Sequence, residues 1–500
     1  MLVGKTGWLK KLGLITGPVA SLLLLVFYDL APENPLVTYT ASVALLMAVW
    51  WITEAVPLAV TALIPVALFP LFGIMNGKEV SSLYFNHVIF LFLGGFMVAL
   101  AMQKWNLHKR IALVTLMIFG VKPRRILLGF MISTAFLSMW ISNTATAMMM
   151  LPIALSVIIS LEEILGQNVV RKYSIGLFLG IAYSASIGGI ATLVGTPPNP
   201  IFTQILVITF PGAPEISFSK WFFFALPISI IFLFITWSVL SLFFCKVKFR
   251  LSREVFSQQY KQLGKMLYEE KVVLAVFIFL ALLWLTRSDL KIGEFTLPGW
   301  SGIFPYPKYI NDGTVAISFA LLLFIIPAKR KPRIMNWETT KQLPWGIVLL
   351  FGGGFALAGG FKESGLSEWF GNQLIGLGEF SPTFLIGSIC FMITFLTELT
   401  SNTATVEMVL PILASLSIAI VKNPLLLMVP ATLASSFAFM MPVATPPNAI
   451  IFGTGRIRII DMVKAGFFLN LIGVLILTIG ILILGFLLEI DPGQMPDWAK

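Results

Sequence analysis

Ser-Asn-Thr-Ala-Thr stands twice in this chain, at 142–146 and 401–405, each time inside an apolar stretch and with a proline a few residues on. Ser hydroxyls, Asn amide oxygens and carbonyls freed at a helix break are hard oxygen ligands suited to an alkali cation. Asn and Thr donors at an open helix N-terminus suit a carboxylate. A second pair of motifs accompanies them, Gly195-Thr196-Pro197-Pro198-Asn199 and Ala444-Thr445-Pro446-Pro447-Asn448, in which consecutive prolines remove donors and interrupt a helix. Ser138 and Thr397 each stand four residues before the motif serine, which puts one more hydroxyl a helical turn from each cluster. No Arg or Lys lies in either motif region, and Glu398 and Glu407 alone interrupt the neutral pattern.

The duplication extends past the motifs. Gly94-Gly95-Phe96 matches Gly353-Gly354-Phe355, Ser142 matches Ser401 and Pro152 matches Pro411, all at an offset of 259 residues. A half-chain repeat in a membrane protein points to a transporter whose site lies at the repeat interface. The paired glycines read as close helix packing. Departures from symmetry are Ala444 in place of Gly195, and Glu398 and Glu407 opposite Met139 and Met148. These acids either tune a cation or proton site or, the favoured reading, make polar contacts between the second motif and a neighbouring helix.

The elements that must position these residues are membrane helices. The chain is 58% hydrophobic and 11% charged with a mean hydropathy of +0.93, against roughly 25% charged residues in a soluble domain. Apolar segments at 12–30, 36–53, 55–74, 87–103, 173–208, 221–244, 271–286, 312–328, 343–361, 424–452 and 465–489 predict an all-α polytopic protein with eleven crossings. The first, after Lys5, Lys10 and Lys11, is read as a retained membrane helix rather than a signal peptide. With the N-terminus inside, 26 of the 34 Lys and Arg fall on the cytoplasmic side and the C-terminus lies outside. The net charge of +11 is therefore a topology signal and not a nucleic-acid footprint. Cys245 and Cys390 imply no disulfide framework, and His87 and His108 read as packing residues rather than metal ligands.

Between Arg125 and Glu162 no charge occurs for 36 residues, about 54 Å of helix at roughly 1.5 Å per residue and too long for one crossing. Basic residues flank it on both sides, so 126–161 predicts a re-entrant hairpin whose limbs meet at Ser142-Asn143-Thr144. The matching stretch 380–421 enters from the other face, which makes the repeat inverted. The expected parts are an N-terminal segment and first helix (1–35), a first repeat (36–245), a connector with one membrane helix and an external loop (246–309), and a second repeat (310–490). Lys246 to Lys271 reads as an amphipathic connector on the membrane surface, and Leu290 to Asn311 as an irregular loop.

Trp51-Ile52-Thr53-Glu54-Ala55-Val56-Pro57, Trp105-Asn106-Leu107-His108-Lys109-Arg110 and the two motif pairs resemble the divalent anion/sodium symporter family, which includes sodium-coupled di- and tricarboxylate transporters. That resemblance implies a homodimer in the plasma (inner) membrane, with a scaffold domain and a transport domain that slides as an elevator. It implies an anion site at Asn143, Thr144, Asn402, Thr403, Thr445 and Pro446. It implies one sodium site at Ser138, Ser142, Asn143 and Gly195 and a second at Thr397, Thr400, Asn402 and Ala444. The expected cargo is a C4-dicarboxylate such as succinate, fumarate or malate with Na⁺, which would neutralise the dianion in a site without basic residues. Sodium-independent exchange, and citrate or sulfate as cargo, stay open, and no organic cofactor or nucleic acid is expected. An intramembrane enzyme is disfavoured, since the motifs supply no Ser with a His or Lys base and no paired Asp. Opposed dead-end hairpins likewise argue against a passive channel.

Overall fold

The computed structural model describes residues 3–247, 249, 254–292, 295–329 and 331–500. Lys248, Arg250, Leu251 and Arg253 of the connector, and Gly293 of the external loop, lie outside the described residues. Among those described, eight helical stretches are long and apolar enough to cross a membrane, beginning with Gly7–Phe27 and Pro35–Thr53 and ending with Ile459–Leu488. Other expected crossings are built from shorter or broken pieces. The segment expected over 55–74 is two helices, Leu58–Thr61 and Ile64–Leu71, because Pro57 and Pro65 each start a helix and cannot continue one.

Helix Val3–Phe27 packs along Pro35–Thr53, where the hydroxyls of Ser21 and Ser42 meet at 2.7 Å. Helix His87–Lys104 lies against Asp312–Ile325, and Trp345–Ser364 against Leu58–Thr61. A Cβ on Gly94 would stand 2.6 Å from the carbonyl carbon of Ala316, and one on Gly353 would stand 2.6 Å from the Cα of Ala62. The paired glycines thus let backbones approach, as small residues do between membrane helices.

Two buried ion pairs fix Tyr268–Leu285. Near its start Glu270 takes a bidentate contact from Arg110, at 2.7 and 3.2 Å, and just past its end Arg287 meets Asp312 at 2.5 Å and also Glu215. The connector is helical over Glu254–Gln262, and its Gln259 donates to Ser156 at 3.1 Å. The stretch read as an irregular external loop is more ordered than expected, because Leu290–Ile292 pairs antiparallel with Phe295–Leu297.

Candidate functional site

Each motif begins the second helix of a helix–turn–helix hairpin, its serine standing at the end of the turn. The first hairpin is Pro123–Ser138 and Asn143–Leu165, and the second is Pro382–Leu396 and Asn402–Ala419. Their limbs meet one step earlier than the sequence predicts, over 139–142 and 397–401, so Asn143, Thr144, Asn402 and Thr403 already form the first helical turn. Ser142 is the N-cap of its helix and accepts from the amide of Ala145 at 3.3 Å, as Ser residues do at that position. The first-turn amides have no partner within the helix, which leaves donors and positive dipole ends at both tips.

The Pro-Pro motifs also sit differently from expectation. The two long polar segments break at 190–197 and 435–445, and the prolines open the helices that follow, Pro198–Thr209 and Pro446–Phe452. In a first turn a proline gives up only a donor that has no acceptor. What holds the breaks is the asparagine that ends each motif. Asn199 Nδ2 donates to Thr192 O at 2.7 Å and, at longer range, to Gly189 and Ile190. Asn448 Nδ2 donates to Ala438 O and Met441 O, both at 3.0 Å. Neither asparagine is among the site residues expected from sequence, although their place at the end of each repeated motif is a signal for them.

Behind each tip the structure assembles a cluster of oxygens. Ser138 Oγ lies 2.5 Å from Asn143 Oδ1 and donates to Ala185 O at 2.7 Å. The same end of the Asn143 amide lies 3.1 Å from Ala185 O and 3.3 Å from Gly195 O. Carrying oxygen, that end completes an all-oxygen nest that suits a hard cation. Carrying nitrogen, it donates to both carbonyls. Gly195 closes the nest, because a Cβ there would overlap the carbonyl of Gly189 and stand 3.0 Å from its Cα. In the second half Thr397 Oγ1 donates to Asn402 Oδ1 at 2.7 Å and to Ser435 O at 2.9 Å, the same construction. Thr400 departs from it, since its hydroxyl bonds Leu396 O at 3.0 Å and Thr405 at 2.6 Å.

Both tips and both breaks face one cavity of about 780 Å³. Asn143, Thr144, Asn402, Thr403, Thr445 and Pro446 line it, as do Ser142, Gly195, Thr400 and Ala444, while Ser138 and Thr397 stand one layer behind. The wall is otherwise neutral. Lys10 and Glu54 are its charged members, paired at 3.3 Å and half exposed. Neither is expected at the site from sequence, since they are 44 positions apart and only folding pairs them. Nor are Ser401 and Thr196 in the expected set, although the repeat could have supplied them.

The two acids of the second hairpin part ways. Glu398 accepts from the amides of Phe439, Met440 and Met441 at 2.7, 2.8 and 2.9 Å and from Asn470 Nδ2 at 2.7 Å. It stitches the hairpin to the second break, the polar contact expected. Glu407 makes no such contact. It is fully buried, and among the described residues neither of its carboxylate oxygens has a hydrogen-bond partner.

The family described as the sodium:sulfate symporter transmembrane region matches residues 15–490. A sodium-dependent dicarboxylate transporter, SdcS, of Staphylococcus saprophyticus is 44% identical over 480 residues, covering 94% of this chain and 90% of its own. SdcS of Staphylococcus aureus strain MRSA252 is 45% identical over 503 residues, covering 97% and 93%. Among solved structures, MtrF of Neisseria gonorrhoeae superposes with a TM-score of 0.56 at 14% identity over 80% of this chain and 82% of its own. The YdaH transporter of Alcanivorax borkumensis gives 0.53 at 13% identity over 83% and 88%. At those identities the last two speak for the fold alone.

Proposed function

This chain belongs to the sodium:sulfate symporter family, and on that footing we propose that it is a secondary active transporter carrying C4-dicarboxylates such as succinate, fumarate and malate with Na⁺. The observation that carries the reading is the twofold construction of the site. Two polar clusters, at Ser138, Asn143 and Gly195 and at Thr397 and Asn402, flank one cavity that both hairpin tips line, and the first becomes all oxygen when the Asn143 amide turns its oxygen inward. The relatives named as sodium-dependent dicarboxylate transporters add to it.

In this reading one carboxylate of the cargo takes the tip donors of Asn143 and Thr144, and the other takes those of Asn402 and Thr403, with Thr445 and Pro446 alongside. Ser138, Ser142, Asn143 and Gly195 hold one Na⁺. Thr397, Asn402 and the backbone at Ala444 hold the other, and Thr400 joins by turning its hydroxyl away from Thr405. The cavity wall offers a dianion no free Arg or Lys, and a charge at membrane depth costs at least about 2.5–3.5 kcal/mol. Co-bound Na⁺ removes that cost, which is the physical basis of coupling.

We infer an elevator movement as the means of alternating access. The hairpins and the broken helices are cross-linked by Glu398, by Tyr183 donating to Phe439 O at 2.8 Å, and by the pair Arg456 and Glu162. Ala404, Met408 and Ile412 of the second hairpin share an apolar cluster with Val43 and Met47 of Pro35–Thr53 and Leu350 and Leu357 of Trp345–Ser364, a surface on which one body can slide. In the orientation set by the basic residues, Lys10 and Glu54 put the cavity mouth on the cytoplasmic side. The homodimer, with its contact in the static body, and the plasma membrane location belong to the same proposal.

The test is uptake of labelled succinate into proteoliposomes with and without an inward Na⁺ gradient and with no internal dicarboxylate. Concentrative uptake only with Na⁺ is expected. Uptake indifferent to Na⁺ but restored by preloaded dicarboxylate would make the protein an exchanger, and uptake of sulfate in place of succinate would reassign the cargo.

A further inference from the structure

Glu407 lies one helical turn beyond the tip residue Thr403 on Asn402–Ala419, where the first hairpin carries Met148. Its side chain rests on Gly354 of Trp345–Ser364. A Cβ at that glycine would overlap Glu407 Cγ and stand 2.7 Å from its carboxyl carbon. The repeat-related Gly95 meets Val194 and Trp284 instead, so only one half of the molecule has a carboxyl group at this interface.

Among the described residues no donor reaches that carboxyl group, and the helices packed around it supply no counter-charge beside it. The helices Pro35–Thr53, Pro198–Thr209 and Pro424–Ala434, all packed on its helix, contain no Asp, Glu, Lys, Arg or His. Trp345–Ser364 carries Lys362 and Glu363 two turns past Gly354, and Leu366–Leu374 and the turn that follows carry Glu368 and Glu379 nearer the end of the hairpin. Tyr84 packs on Gly352 of Trp345–Ser364, two residues from Gly354. Its hydroxyl donates to Ala62 O and so does not serve the acid. An ionised carboxylate taken from water without a hydrogen bond or a partner is so unfavourable that the group neutralises instead.

We propose that Glu407 is a proton-binding site whose occupancy follows the packing of the second hairpin on helix Trp345–Ser364. As the two surfaces meet, one carboxylate oxygen takes one proton from water and the group is buried as a neutral acid. As they part and water returns, the same proton leaves. Because Thr403 is one turn away, protonation at this interface is linked to the state of the tip. The proton site itself stands on burial and packing; its effect on uptake rests on the transport reading above.

Two measurements on the full-length protein in lipid test it. Infrared spectra of wild type and Glu407→Gln at neutral pH should differ by the carbonyl stretch of one protonated carboxylic acid, shifted in D₂O, and an identical spectrum in that region overturns the proposal. Gln mimics the neutral acid; should that variant not fold, Glu407→Met copies the residue of the first hairpin. The second is Na⁺-driven uptake of labelled fumarate from about pH 6 to about pH 8.5, where ordinary carboxylates remain ionised. The wild-type rate should change at least about twofold across that range and the Gln variant's should stay flat, because only a group that binds protons differently in two states makes their balance depend on pH. Equal profiles overturn the link to the tip. If no dicarboxylate is taken up at all, the transport reading fails and the infrared band alone decides the site.

Discussion

Replacing Ser138 by alanine is the sharpest probe of the first oxygen cluster. Ser138 is fully buried, and its hydroxyl spans Asn143 at 2.5 Å and the carbonyl of Ala185 at 2.7 Å. On the proposed reading alanine removes one Na⁺ ligand, and it frees the Asn143 amide that the hydroxyl contacts. A buried polar group left without its partner costs about 1–3 kcal/mol. At about 1.4 kcal/mol per factor of ten, that raises the half-saturating Na⁺ concentration about 5- to 140-fold. Thr397→Ala should act alike at the second cluster, where the hydroxyl bridges Asn402 and Ser435 O, and Thr397→Ser should restore most of the loss. The assay is the initial rate of labelled succinate uptake against Na⁺ in proteoliposomes, with choline holding the ionic strength constant. Should Ser138→Ala and Thr397→Ala, both monodisperse and folded, keep the wild-type Na⁺ dependence, the oxygen clusters do not bind the coupled cation.

Asn143→Ala and Asn402→Ala each remove both a tip donor and a cluster oxygen, so each should abolish succinate uptake while elution volume and melting stay close to wild type. Gly195→Ala forces a methyl group onto the backbone of Gly189; overpacking of that kind costs about 1–3 kcal/mol, which should appear as weakened Na⁺ dependence, whereas Ala444→Gly should be mild. Arg287→Met leaves Asp312 buried without its partner, a loss of about 3–5 kcal/mol, visible as a lowered melting temperature in detergent. Glu398→Gln removes the charge that four donors share; at about 1.5–3 kcal/mol for a hydrogen bond to a charged group, melting should fall in this variant too, and unchanged melting would show that the second break holds without it.

Much of the site was legible in the chain because a duplicated sequence states its own symmetry. The offset of 259 residues pairs Ser138 with Thr397 and Asn143 with Asn402, and membrane burial forces such polar groups to find partners. Sequence therefore pointed to the paired side chains at the centre of each cluster and to apolar helices around them, but not to the carbonyls of Ala185 and Ser435 that join them, nor to the bond that turns Thr400 to Thr405. It misjudged details set by local backbone geometry. The prolines of both motifs read as breakers, yet they start helices, because a first turn tolerates a residue without a donor. The stretch from Leu290 to Asn311 held no pattern strong enough to announce its small β-hairpin.

Tertiary structure alone decided what depends on contacts between distant segments. It paired Lys10 with Glu54 at the mouth of the cavity and gave Glu398 three amides of the second break. It separated two acids that look alike in sequence. Glu398 and Glu407 are nine residues apart on one hairpin, but one meets donors and the other meets Gly354. A carboxyl group's role follows from whether its surroundings replace the water it gives up, and no local run of residues encodes those surroundings.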